Sequence, residues 1–264
     1  MNHAARLRQR VQDGHTLFGA WAALASPFAS ELMSIPGVDY VCVDQQHGLI
    51  DYSDLLPMIS AIEGRGAAPF SRVPANEAWM IGKALDAGVQ GVIVPLVSTR
   101  HEAERAVQAC RYPPHGVRSY GPIRSAVTMS TRAIEHLGGD VLCLVMVETR
   151  QGLDNLEEIA STPGLDGIYI GPADLALGLG LQPDLDKTDA EHVAAVAAIL
   201  QACKRFNIIP GIQCGSGSSA RRYAEMGFEL VTFAKDTALL SKMTAAELAQ
   251  ATGQSTSTSS EGYT

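Results

Sequence analysis

The chain has 264 residues, 46% of them hydrophobic, and a formal net charge of −8. That length suffices for one large domain with a sizeable core. The acidic balance, with no long basic run, argues against a nucleic-acid partner. Five cysteines (Cys42, Cys110, Cys143, Cys203, Cys214) make an odd, scattered set without a CxxC pair. They read as small core residues rather than as a disulfide framework or a zinc knuckle.

The opening stretch MNHAARLRQRVQDG is polar and helical, with no apolar signal core. No run reaches the length of a membrane span, so the expectation is a cytoplasmic protein in a reducing compartment. From there β-type runs alternate with helical segments. LFGAWAAL (17–24) precedes FASELMSI, DYVCVD (39–44) precedes DYSDLLPMISAIEG, PFSRV (69–73) precedes AWMIGKALDAG, and GVIVPLV (91–97) precedes HEAERAVQAC. VLCLVMVE (141–148) precedes LDNLEEIAS, and GIYIG (167–171) precedes ADLALGL and the long AEHVAAVAAILQACKRF. IIPGIQC (208–214) precedes SSARRYAEMG, and LVTFA (230–234) precedes TALLSKMTAAELAQ.

This alternation predicts an α/β fold, a (β/α)8 TIM barrel occupying residues 1–252 as one domain. A doubly wound sheet would announce a Gly-rich nucleotide turn after its first strand, and GAWAALASP is no such turn. The Ser/Thr/Gly-rich end, 253–264, predicts a disordered tail. The irregular segment RYPPHGVRSYGPIRSAVTMS (111–130) is expected as an ordered, functional loop on the strand C-terminal side.

In such a barrel the chemistry sits at the strand C-termini. There the first strand offers Trp21, the second Asp44 and then His47, the third Arg72, the fifth Glu148, and the sixth the turn Gly171-Pro172-Ala173-Asp174. Charged groups ending apolar strands are costly to bury unless paired or coordinated. Glu148 and Asp174 follow adjacent strands, whose axes lie about 4.8 Å apart, and two carboxylates that close call for a cation between them. A divalent metal with oxygen ligands fits, with two protein ligands leaving positions for water and substrate. The Gly-Pro turn would aim the amides of Ala173 and Asp174 at the mouth, where a helix start attracts an anion. A bidentate 2-oxo acid suits this arrangement. Arg72 would stabilise developing oxyanion charge, and His47 would serve as general acid/base, with Asp44 or Asp86 orienting it.

The motifs VDQQHG, FSRVP, LDAG, RYPPHGVRS, VETRQGLDN and GIYIGPADL occur in this order over roughly residues 15–245. In them the chain resembles the HpcH/HpaI family of class II, metal-dependent pyruvate aldolases. That resemblance implies a barrel whose last helix is swapped between neighbouring subunits of a hexamer. It also implies Glu148 and Asp174 as ligands of Mg²⁺, Mn²⁺ or Co²⁺, His47 as acid/base, Arg72 as enolate stabiliser and Ala173 as a backbone contact to substrate. Asp86, in LDAG, matches the aspartate that raises the basicity of the histidine, acting across a subunit interface.

Two positions depart from the family pattern. Gln46 stands where many members carry Glu before the histidine, and Met146 where several carry a substrate-contacting Gln. Period-two alternation puts Met146 on the face of Glu148, looking into the site. With GVRSYGPIR and GIQCGSGSSARRYAEMGF, these departures point to the branch acting on pyruvate or hydroxypyruvate with an aldehyde.

The implied partners are therefore a small 2-oxo acid and an aldehyde. Two alternatives stand beside this reading: a citryl- or malyl-CoA-type lyase, and a non-catalytic oxo-acid-binding barrel. CGSGSSA reads as a loop with a helix cap rather than a phosphate site, and Arg118 and Arg124 either meet an anionic acceptor or form surface salt bridges. His15, His101, His115, His136 and His192 read as solvated.

Overall fold

A computed structural model describes residues 3–253. Eight parallel strands, β1 (Leu17–Ala22), β2 (Tyr40–Asp44), β3 (Ala68–Arg72), β4 (Gly91–Val94), β5 (Leu142–Met146), β6 (Gly167–Ile170), β7 (Ile209–Gln213) and β8 (Leu230–Lys235), pair in sequence order. β8 closes on β1. This is the predicted (β/α)8 barrel, and every predicted strand is present. The expected tail lies outside the described residues from position 254 onward.

Strand alternation sorts the side chains into two cores. Val41, Val43, Val92, Val94, Cys143, Val145, Ile168 and Ile170 face outward and pack under the helices. Leu17, Trp21, Tyr40, Cys42, Phe70, Ile93, Leu144, Met146 and Tyr169 fill the interior. Big rings there need glycine opposite them. A Cβ on Gly91 would lie 2.5 Å from the Phe70 ring, so only a bare backbone fits. Side chains therefore fill the interior, and the charged groups Asp44, Arg72 and Glu148 lie at its upper rim. All five cysteines are free and buried, as the sequence reading expected.

The segment 111–130 corrects one expectation. It follows the helix Arg100–Cys110, which returns the chain to the strand N-terminal end, and it stays there. Arg111 bonds to Asp166 just before β6, and Arg118 to Asp86 at the end of the helix Ala78–Ala87. Pro and Gly content signals an irregular segment, but the side of the barrel follows from whether a strand or a helix precedes it.

The last helix, Asp236–Thr252, is attached by its first residue. The buried carboxylate of Asp236 accepts from the backbone N–H groups of Ala23 and Leu24 beyond β1, at 2.9 Å, and of Thr237 at 2.7 Å. That clamp joins the last strand to the first at the functional end. Beyond it the helix leaves Leu239, Leu240, Met243 and Leu248 exposed in the single chain. No described helix is long and apolar enough to cross a membrane.

Asp236→Ala strands these amides without an acceptor and is expected to lower the unfolding free energy by about 2–4 kcal/mol. Urea denaturation checks this; unchanged stability would show that the barrel closes without the clamp.

Candidate active site

The site is built in two halves. In the first, register places Asp44 of β2 level with Arg72 of β3. Both point inward at the rim, where they form a buried fork: Arg72 Nε donates to Asp44 Oδ1 at 2.9 Å and Nη2 to Oδ2 at 2.6 Å. A one-residue slip would turn both outward. Asp44 also accepts from Trp21 Nε1 at 3.1 Å and from the backbone N–H groups of Gln46 and His47, each at 3.2 Å. Burial alone would raise the Asp44 pKa, but the guanidinium and these donors hold it below the usual carboxylate value. The guanidinium also lies 5.1 Å from the Trp21 ring centre, and Trp21 stacks on Tyr169. Arg72 is thus oriented from below and from one side, and its Nη1 is engaged by no described residue.

The second half faces it. Beyond the pairing of Met146 with Tyr169, Glu148 comes level with Gly171. A Cβ at Gly171 would lie 2.8 Å from Glu148 Oε2, 2.8 Å from Met146 Cε and 3.9 Å from Asp174 Oδ2. Glycine leaves room there for something that is not a side chain. Glu148 Oε1 accepts from the Leu96 N–H at 2.9 Å, while Oε2 is buried with no hydrogen-bond partner. Leu96 delivers that N–H from a left-handed backbone, φ +55°, a conformation costing about 1–3 kcal/mol that persists mostly at functional sites. Burial pushes the Glu148 carboxyl up to about 7. The Leu96 N–H opposes the shift, Asp174 adds to it, and Arg72 opposes it more weakly.

Gly171 caps the helix Pro172–Gly178, with Pro172 at its first position. Proline has the fixed φ a helix start needs and lacks only an N–H that would be unpaired anyway. Asp174 sits in the first turn, partly exposed beside Glu148. This arrangement fits a divalent cation: two carboxylates converge on one small space, and one oxygen is buried and unmet. Among the described residues no group of three or more His, Cys, Asp or Glu side chains comes together as a metal site. Among the described residues, the acids that border this space are Glu148 and Asp174.

The structure brings Trp21, Asp44, Arg72, Met146, Glu148, Gly171, Pro172, Ala173 and Asp174 to one rim. His47 is exposed in the loop after β2; its backbone touches Asp44, and its ring has no described partner. Asp44 is committed to Arg72 and to main-chain donors, so in this chain it does not orient the imidazole. Asp86 lies at the other end of the barrel, 2.7 Å from buried Arg118, away from this chain's own rim. Arg124 pairs with Glu63 there at 2.6 Å, so neither arginine meets an acceptor at this chain's own mouth. His192 is not solvated but buried, 3.0 Å from the carbonyl oxygen of Pro172.

Residues 17–242 match the HpcH/HpaI aldolase/citrate lyase family. The chain belongs to this family. A hydroxypyruvate/pyruvate aldolase of Rhizorhabdus wittichii is 39% identical over 236 residues, which cover 89% of this chain and 94% of that protein. A 5-keto-4-deoxy-D-glucarate aldolase of Escherichia coli is 35% identical over 220 residues, 83% and 85% of the two chains. The solved structure of a family protein from Burkholderia cenocepacia superposes with a TM-score of 0.87 at 33% identity, covering 94% of this chain and 99% of that one. The chain is accordingly an enzyme, a lyase of the aldolase kind.

Glu148 gives the metal-stripped protein a specific pH dependence. Its folded-state pKa, about 7, exceeds the unfolded value of about 4.3. The neutral carboxyl's contribution is thus complete below the unfolded value and is lost as pH rises through about 7. Relative to Glu148→Gln, the wild type is expected to lose about 2–3 kcal/mol between about pH 5 and about pH 8. Urea titrations in chelator test this; parallel profiles would contradict it.

Proposed function

We propose that this enzyme is a divalent-metal-dependent, class II aldolase. It forms the enolate of a 2-oxo acid, pyruvate or hydroxypyruvate, and adds it reversibly to an aldehyde. The observation that carries this reading is the unmet Glu148 Oε2 beside Asp174, with the oriented Arg72 guanidinium facing them. The similarity to a hydroxypyruvate/pyruvate aldolase supports the substrate class.

Glu148 and Asp174 would hold Mg²⁺, Mn²⁺ or Co²⁺. When bound, the cation draws charge from the carbonyl of the 2-oxo acid and acidifies the protons on C3. Ala173 and Asp174 begin a helix, so their amides have no acceptor in the preceding turn and suit the substrate carboxylate. Arg72 presents its unused Nη1 to the oxygen that gains charge as C3 loses its proton. Because Asp44 and Trp21 already fix the guanidinium, little reorganisation is needed at that moment. Met146 contributes an apolar floor, which suits a short substrate better than one with a second carboxylate at that position. His47, at the exposed rim, takes the proton from C3 as the enolate forms and gives it to the aldehyde oxygen as the carbon–carbon bond forms. Cleavage runs the same transfers in reverse.

This reading extends to the assembly. The exposed Leu239, Leu240, Met243 and Leu248 suit exchange of the last helix with a neighbour, within a hexamer that brings Asp86 to another subunit's His47. Leu240→Glu with Met243→Glu is expected to shift the species in sedimentation velocity from hexamer to smaller forms. An unshifted hexamer would place the contact elsewhere.

The activity is tested by C3 proton exchange of pyruvate and hydroxypyruvate in D₂O, followed by NMR on metal-stripped protein with and without Mg²⁺. No aldehyde need be chosen. Metal-dependent exchange should fall by about 100-fold or more in Glu148→Gln and in Arg72→Leu. Exchange no faster than the metal-only blank would overturn the reading and turn attention to thioester lyase assays.

A further inference from the structure

His192 is a buried histidine that the proposed reaction does not use. It stands in the first turn of the helix Ala190–Phe206, fully inaccessible to solvent. Its Nε2 lies 3.0 Å from the carbonyl oxygen of Pro172. A carbonyl can only accept, so Nε2 carries the proton. Burial, followed by the charge of Lys187, disfavours a second proton, and the Pro172 carbonyl and Asp189 oppose them only in part. The ring is therefore a neutral donor, and its Nδ1 is a buried acceptor with no hydrogen-bond partner.

That unmet acceptor is costly. A leucine would fill the same space at no such cost, so packing alone does not account for an imidazole here. What the histidine contributes is the bond to Pro172. Pro172 is the residue next to Ala173 and two before Asp174, and Pro172 and Ala173 are themselves buried. The helix of His192 is 17 residues long and packs against β6 and β7, whereas the helix carrying Asp174 has only 7. One hydrogen bond thus ties the short element to the long one at the position where a small shift displaces the Asp174 carboxylate.

We propose that His192 is a positioning residue: by holding the Pro172 carbonyl from behind, it sets the placement of the Ala173 and Asp174 amides and of the Asp174 carboxylate. The proposal rests on the reading of Asp174 as a metal ligand, and it extends that reading to a residue outside the rim. It parallels the partners that orient ligands in metal sites, whose loss typically lowers metal affinity about 10- to 100-fold.

The test compares His192→Leu, which keeps volume and removes the donor, with His192→Gln, whose side-chain amide can still donate to the carbonyl. Mn²⁺ binding to stripped protein is followed by the EPR signal of free Mn²⁺, KM and kcat by C3 exchange of pyruvate, and folding by thermal melts. His192→Leu should bind Mn²⁺ about 10-fold more weakly and raise KM for pyruvate more than it lowers kcat. His192→Gln should recover most of both, and neither pattern should follow Tm. A Leu variant with wild-type Mn²⁺ affinity and KM would overturn the proposal while leaving the aldolase reading intact. If the wild type itself binds no Mn²⁺, that reading fails. Hydrogen exchange of the Ala173 and Asp174 amides then decides this one alone: faster in the Leu variant supports it, unchanged refutes it. Should the Leu variant not fold, His192→Asn, with a shorter amide, takes its place.

Discussion

The rim of this barrel is organised around a carboxylate oxygen that has been taken out of water and given no hydrogen bond. Glu148 Oε2 is buried, a second acid stands beside it, and a glycine keeps the space between them clear. Left alone, such a group holds a proton near neutrality, which the elevated Glu148 pKa expresses. The proposed cation would supply the partner that this oxygen lacks. Neighbouring features serve that one atom: the left-handed Leu96 that satisfies the other oxygen, the Gly-Pro turn that brings Asp174 alongside, and the Arg72 guanidinium across the mouth.

Arg72 shows how the fold makes that rim affordable. A buried fork between an arginine and an aspartate is a poor source of stability, since desolvation cancels much of the attraction. Here it fixes geometry. The pair is set by strand register, completed by the Trp21 N–H and by two main-chain amides, and supported from below by Tyr169. Tyr169 is held in turn, its hydroxyl 2.6 Å from Thr232 Oγ1, which also meets the Tyr40 hydroxyl at 2.9 Å. The interior of the barrel, from β8 across to β3, is thus a rigid support for one side chain.

Much of this was legible in the sequence, and what was not has physical reasons. The eight strands show as short apolar runs because both faces of a parallel strand are buried. Trp21, Asp44, Arg72 and Glu148 could be read as rim residues because they end such runs, where charge needs a purpose. Leu96 could not, since nothing in VPLV distinguishes a leucine with positive φ. Asp236 carries no local signal either, because its bonds to the loop after β1 depend on closure of the barrel. His192 looked polar because it lies at the exposed beginning of a helix. It is buried in the fold and meets the Pro172 carbonyl, a tertiary contact with no local signature. The segment 111–130 was recognisable as irregular, but its side of the barrel was misjudged.

The most direct test of the account is an anomalous-scattering map at the manganese edge from crystals soaked in Mn²⁺ and oxalate, a planar mimic of the enolate of pyruvate. One strong peak is expected at ordinary metal–oxygen distance, about 2.1 Å, from Glu148 Oε2 and from Asp174. Oxalate should bridge from that peak to the Arg72 guanidinium. A peak held by other residues, or oxalate bound with Glu148 Oε2 left unengaged, would contradict it.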